Sequence, residues 1–121
     1  MSAVTETLRS HGHWVIMYDL GATALSDSFG SCSRHYREVK NILVRAGFVR
    51  VQQSVFRHSA GCYLLHVVYV LLQIRQLPWA GGADLSGAPH IISIRISNQV
   101  NPYMDFTNFV CGGPAPHIPL F

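Results

Sequence analysis

Charge is scarce in this chain. Only 12% of its 121 residues are charged, whereas 49% are hydrophobic. That is about half the charge of an ordinary soluble domain. A disordered region needs the opposite composition and is excluded. So few charges also leave uncharged surface, and a second copy that covers it is the expected remedy, a homodimer. Lysine is nearly absent, since eight of the nine cationic side chains are Arg and the net charge is +3. Arg favours bidentate phosphate contacts and stacking on bases, which is compatible with nucleic-acid binding. Charge alone does not separate that from a mildly basic soluble protein.

Cysteine is limited to Cys32, Cys62 and Cys111. An odd number with no CxxC and no fixed pairing with histidine argues against a disulfide framework or a zinc site, and fits a reducing cytoplasm. No basic stretch followed by an apolar run opens the chain, so no signal peptide is expected. The most apolar segment, Tyr63 to Ile74, is too short for the roughly 20 residues that span a bilayer. A soluble protein is expected, large enough for one core. There is no internal repeat.

Residues 1–13 are polar and unpatterned, and read as a flexible lead-in to a domain over 14–110. Trp14 to Leu20 is an apolar run of strand length, expected to be covered on both faces and to end in one carboxylate, Asp19. Gly21 to Ser33, rich in Gly, Ser and Ala, reads as a surface loop. Ser33 suits a helix N-cap. Tyr36, Val39, Leu43 and Ala46 then form one apolar face, and Gly47 supplies the left-handed stop. Phe48 to Gln52 alternates as a strand, and Ser54 to Arg57 continues as a second one after a very tight junction. Cys62 to Leu77 reads as a helix, because His66, Tyr69, Gln73 and Gln76 draw one wet stripe along it. Pro78 ends it.

Trp79 to Pro89 is a Gly-rich loop. His90 to Ser97 is a strand, with Ile92, Ile94 and Ile96 expected on one face. Asn101-Pro102 opens a short helical turn through Phe109. Residues 111–121 read as a Pro-rich arm whose Leu120-Phe121 end packs on a partner subunit. The order β-α-β-β-α-β predicts an α+β, ferredoxin-like fold: a four-stranded antiparallel sheet with both helices on one face. The bare face and edge strand invite dimerisation.

The strand end Met17-Tyr-Asp-Leu20, followed by Gly47-Phe-Val-Arg-Val-Gln-Gln-Ser-Val-Phe56, resembles the virulence-associated protein D (VapD) family. That family is similar in fold and strand motifs to the small CRISPR spacer-acquisition nucleases. The long segment after Leu20, Val68-Tyr69 before Trp79, and Asp105-Phe-Thr107 lean toward VapD, and the resemblance covers about residues 14–110. It implies a cytoplasmic endoribonuclease of toxin–antitoxin type, acting as a homodimer on RNA, with an antitoxin protein as a possible partner. The family's aspartate maps onto Asp19, and its motif glutamine and serine map onto Gln52 and Ser54. Gln53 stands where VapD proteins commonly carry Gly, and Arg57 where the CRISPR nucleases commonly carry an acid.

In a two-fold dimer, two copies of Asp19 would face one cleft. They would share a divalent cation, Mg²⁺ being the candidate, or one would act as general base on a ribose 2′-OH or on water. Capping of the following segment is the structural alternative. Ser54 either contacts phosphate or satisfies backbone at the junction. Tyr18 is a candidate for stacking on a base, and Phe56 for core packing. Arg34, Arg37, Lys40 and Arg57 are candidates for phosphate, with a solvated surface as the alternative. Gln52 and Gln53 read more as junction hydrogen bonds than as catalysts.

Seven histidines invite acid–base or metal chemistry, yet His11, His13, His35, His58, His66, His90 and His117 show no HxxxH or HExxH spacing. His58, just after the motif, is the first to test. Asp27 is a weak second carboxylate. The rival readings are a non-catalytic RNA- or protein-binding dimer and a CRISPR adaptation subunit that scaffolds DNA.

Overall fold

The computed structural model describes residues 9–98 and 104–116. Chain order is β1 (His11–Gly12), β2 (Val15–Leu20), α1 (Ala22–Phe29), α2 (Ser33–Arg45), β3 (Phe48–Gln52), β4 (Val55–His58), β5 (Cys62–Tyr63), α3 (Leu64–Arg75), β6 (Ile91–Ser97), β7 (Met104–Asp105) and α4 (Thr107–Val110). The main sheet has five strands in the order β3-β4-β2-β6-β7, every neighbouring pair antiparallel. Its first four strands follow the order expected of a ferredoxin-like arrangement. The expectation of four strands is corrected by β7, which pairs Asp105 with Arg95 and Met104 with Ile96 at the outer edge of β6.

One face of the sheet is covered. Ile16, Tyr18 and Leu20 of β2 alternate inward with Phe48, Phe56, Ile94 and Ile96, and join Val39 and Leu43 of α2 and Val67, Leu71 and Ile74 of α3 in a single core. Both helices present their apolar stripe because their buried residues recur at three and four positions. Val15, Met17 and Asp19 point to the other face, as the period of two requires. The expectation that β2 is covered on both faces is therefore corrected: within one chain no helix covers the outer face among the described residues.

Other departures have local causes. Residues 22–29, read as loop, form α1. Its Ala24 and Leu25 are buried, and Gly30, at φ +84°, closes it by donating its N–H to Ser26 O at 2.7 Å. Ser33 begins α2 instead of capping it; Cys32 is the N-cap and makes no side-chain cap bond. Gly47 is left-handed, φ +95°, as expected of a helix stop. Cys62–Tyr63 is a short strand before the helix, and it pairs with His11–Gly12, so part of the expected lead-in is ordered pairing. In β6, Ile92 is the extra residue of a bulge, since Asp19 faces Ser93 while Leu20 faces Ile91. The bulge turns Ile91 inward and leaves Ile92 51% exposed, against the expected inward direction.

Asn101-Pro102, the lead-in over residues 1–8, and Leu120-Phe121 lie outside the described residues. Of the helical turn expected from there through Phe109, only Thr107–Val110 is helical, and Met104–Asp105 is strand β7 instead, because it pairs with Arg95 and Ile96. The arm's beginning is tied down, because the Arg75 guanidinium donates to Gly113 O at 2.8 Å and Gly112 O at 3.1 Å. No helix among the described residues is long and apolar enough to cross a membrane.

Candidate functional site

Asp19 is the last outward residue of the central strand, and it is exposed. Beside it, the β3–β4 hairpin turns through only Gln53 and Ser54, with Gln52 facing Val55. Ser54 takes a left-handed backbone, φ +68°, unusual for a residue other than glycine. Its carbonyl accepts the Tyr18 N–H at 3.0 Å, which welds the turn to β2 one residue before the carboxylate. A bulge at Val51 breaks the β3–β4 register next to the same turn.

The hydroxyls behind Asp19 are phenolic. Tyr18 is only 5% exposed and its ring stacks on Phe56 at 6.0 Å, so it belongs to the core and offers a base little open ring surface. Burial pushes the Tyr18 hydroxyl above its ordinary pKa, against opposing pulls from the Arg50 guanidinium and the Ser54 hydroxyl. Tyr36 of α2 donates to Leu20 O at 3.5 Å. Burial raises its pKa too, and the Asp19 charge raises it further. Tyr36 was legible only as part of an apolar helix face, yet its hydroxyl lies at the strand end within the field of Asp19.

The outer face carries the cations. Arg57 pairs across Val15 on one side of β2, and Arg95 pairs across Met17 on the other. Arg95 also holds the Asp105 carboxyl toward its charged form, a smaller effect than the hydrogen bonds that Thr107 donates to it. Arg34 and Arg37 lie in the helix layer; Arg34 forms an ion pair with Glu38 at 3.2 Å, and Arg37 is exposed. The Tyr36 contact brings the start of α2 to the Asp19 end of the sheet, so these two flank that end without sharing its face. Arg50 was not singled out by the sequence; its guanidinium lies 5.5 Å over Phe56 on the inner side of the edge strand.

The structure thus brings Gln52 and Ser54 to the Asp19 end of the sheet, whereas Arg57, opposite Val15, shares the outer face but lies four residues back along β2. It does not bring His58 to them. His58 ends β4 and donates its backbone N–H to Trp14 O at 2.9 Å, at the opposite end of the sheet. Asp27 also lies apart, lining a cleft of about 240 Å³ with Asp84 and Ser86. A cleft of about 610 Å³ runs along Arg9, Tyr63, Leu65, His66 and Tyr69, but no carboxylate among the described residues lines it. Volume alone is a poor guide here; the strand-end aspartate has the better chemistry.

The family model described as CRISPR associated protein Cas2 matches residues 12–61. The chain is similar to that family over this segment. The matched residues run from the end of β1 to the turn before β5 and include Asp19, Gln52, Ser54 and Arg57. They stop short of α3, β6 and β7. No curated protein matches the chain.

Proposed function

We propose that this protein is a metal-assisted endoribonuclease that works as a symmetric homodimer, with Asp19 of each copy at its centre. One observation carries the reading: Asp19 is the last outward residue of the central strand, on the sheet face that no helix among the described residues covers. A two-fold partner laid on that face would bring two such carboxylates to one cleft, which answers how a single aspartate per chain can suffice. The match of residues 12–61 to the Cas2 family supports a nuclease-type site in this half of the chain.

The donor set suits Mg²⁺. Asp19 is exposed and engaged by no hydrogen bond or ion pair with another described side chain, and Mg²⁺ is commonly held by one or two carboxylates with water and phosphate completing its shell. When bound, the ion would neutralise charge on the phosphate. Asp19 holds the ion or takes the proton from a ribose 2′-OH or from water. Arg57, on the same face but toward the start of β2, would hold a phosphate further along the RNA strand. Ser54 positions β2 through its backbone, and its hydroxyl serves Tyr18 in preference to substrate. Gln52 stands exposed at the strand edge, open to a ribose or a base.

The resemblance to VapD favours a toxin setting, a cytoplasmic location and an antitoxin protein as partner. A second reading, a CRISPR adaptation subunit that scaffolds DNA, has the family match in its favour. Purified protein incubated with total RNA, with and without Mg²⁺, should cleave only with the ion. Asp19→Asn should lower the rate by about a hundredfold or more, the usual worth of a positioned acid–base group. Cleavage untouched by that substitution would overturn the site. Absence of cleavage, with tight binding of duplex DNA, would move the reading to the scaffold.

A further inference from the structure

At the other end of β4 lies a group of side chains that the proposed reaction does not use. His58 ends β4, Cys62 opens β5 and His66 lies in the first turn of α3, three residues spaced four apart. One donor atom from each lies within 4.8 Å of the other two. The chain reverses between them at Gly61, whose φ of +84° allows the tight return.

We propose that His58, Cys62 and His66 bind one zinc ion, which pins the end of β4 to the start of α3. Two imidazoles and a thiolate are donors that zinc favours, and the absence of a carboxylate from the set disfavours Mg²⁺ and Ca²⁺. Tetrahedral zinc with bonds of about 2.0–2.3 Å needs donors roughly 3.3–3.8 Å apart. Small side-chain rotations close the difference.

The surroundings already orient the ligands. The His66 Nε2–H donates to Ala46 O at 2.9 Å, which leaves the lone pair on Nδ1. A backbone carbonyl in that role is the usual outer partner of a metal-bound histidine. His58 Nδ1 is buried and reaches no hydrogen-bond partner, an arrangement that costs free energy unless something else satisfies it. The Cys62 side chain is buried and makes no disulfide. On binding, its sulfur gains the metal bond and its proton passes to solvent. The fourth position faces a cleft of about 350 Å³ lined also by His11, Gly61 and Tyr63, where water completes the shell. The site is separate from Asp19, and two of its ligands lie beyond the segment matched to the Cas2 family.

The test uses the untagged, full-length, reduced protein after treatment with a chelator. Zn²⁺ is titrated against a chromophoric competitor, and Co²⁺ serves as the spectroscopic probe. The expected result is one Zn²⁺ per chain, a raised melting temperature, and a Co²⁺ spectrum with a thiolate charge-transfer band and intense tetrahedral visible bands. Cys62→Ser should abolish the charge-transfer band, and His66→Gln should weaken Zn²⁺ binding tenfold or more. Cys32→Ser and Cys111→Ser should change neither. No stoichiometric Zn²⁺ uptake by the parent protein, or a thiolate band that survives Cys62→Ser, would overturn the proposal. Should either variant fail to fold, the parent's Co²⁺ spectrum still decides: without the thiolate band there is no such site.

Discussion

His35 sits in the core of the helix layer with neither ring nitrogen at full hydrogen-bond geometry. Phe29 lies 4.7 Å from its ring and Trp79 meets it edge-on at 4.9 Å. Burial pushes its pKa below the ordinary value, helped by Arg34 and His90 and opposed by Glu38. The unfolded chain takes up a proton near pH 6.5, the folded chain only at lower pH, so stability is complete above about 6.5 and is lost as the pH falls through the folded value. His35→Leu removes both the titration and the unmet nitrogens. It should leave stability at pH 7.5 unchanged or higher by up to about 1 kcal/mol, and urea unfolding at pH 5.5 should lose less than in the parent. A loss equal to the parent's would show that other groups govern the acid limb. Ser54 poses a backbone question. At φ +68°, Ser54→Gly should be tolerated within about 1 kcal/mol, whereas Ser54→Val should cost about 1–2 kcal/mol by thermal unfolding.

Elements were legible where one periodicity ruled them. The α2 face of Val39 and Leu43, the Gly47 stop and the α3 stripe through Tyr69, Gln73 and Gln76 all read correctly, because each needs only its own spacing. The helix α1 did not: eight residues rich in Ala and Ser carry only two buried side chains, and Gly21 and Gly30 look alike as loop glycines until the backbone shows the second as a cap. Ile92 was misassigned because a bulge is set by the partner strand, which the sequence of β6 does not contain. Asp19 was legible as a strand-end carboxylate, but an apolar run cannot reveal whether its own helices or another chain cover its second face. The His58, Cys62 and His66 set was legible in principle as a repeat of four; it escaped because the three straddle a strand, a turn and a helix. Gly47 connects these levels. A Cβ there would lie 2.7 Å from His58 Nε2 as well as demand a left-handed backbone. Gly47→Ala should therefore cost about 2 kcal/mol or more in chemical denaturation, above the 1–2 kcal/mol of the backbone strain alone. A cost below about 1 kcal/mol would mean that the loop shifts and His58 is not held in place.

For the whole molecule the question is what meets the outer face of the sheet. Val49 and Val51 near its edge are 51% and 57% exposed, and half-buried Val15, Met17 and Val55 continue the apolar surface inward toward Asp19. A lone copy gains little from keeping valines in water, and the proposed dimer would bury them. Exposed positions tolerate substitution within about 0.5 kcal/mol in a monomer, whereas an unpaired charge inside an interface costs several kcal/mol. Val49→Lys combined with Val51→Lys separates the two cases. Thermal unfolding at high dilution should change little, while analytical ultracentrifugation should show the parent as a dimer and the variant as a monomer. RNA cleavage should fall in parallel, although neither valine touches Asp19, because the active cleft needs both copies. A variant that remains dimeric would move the interface to the β3 or β7 edge. One that becomes monomeric and cleaves at the parent rate would show that a single Asp19 suffices, and the shared-cation arrangement would be wrong.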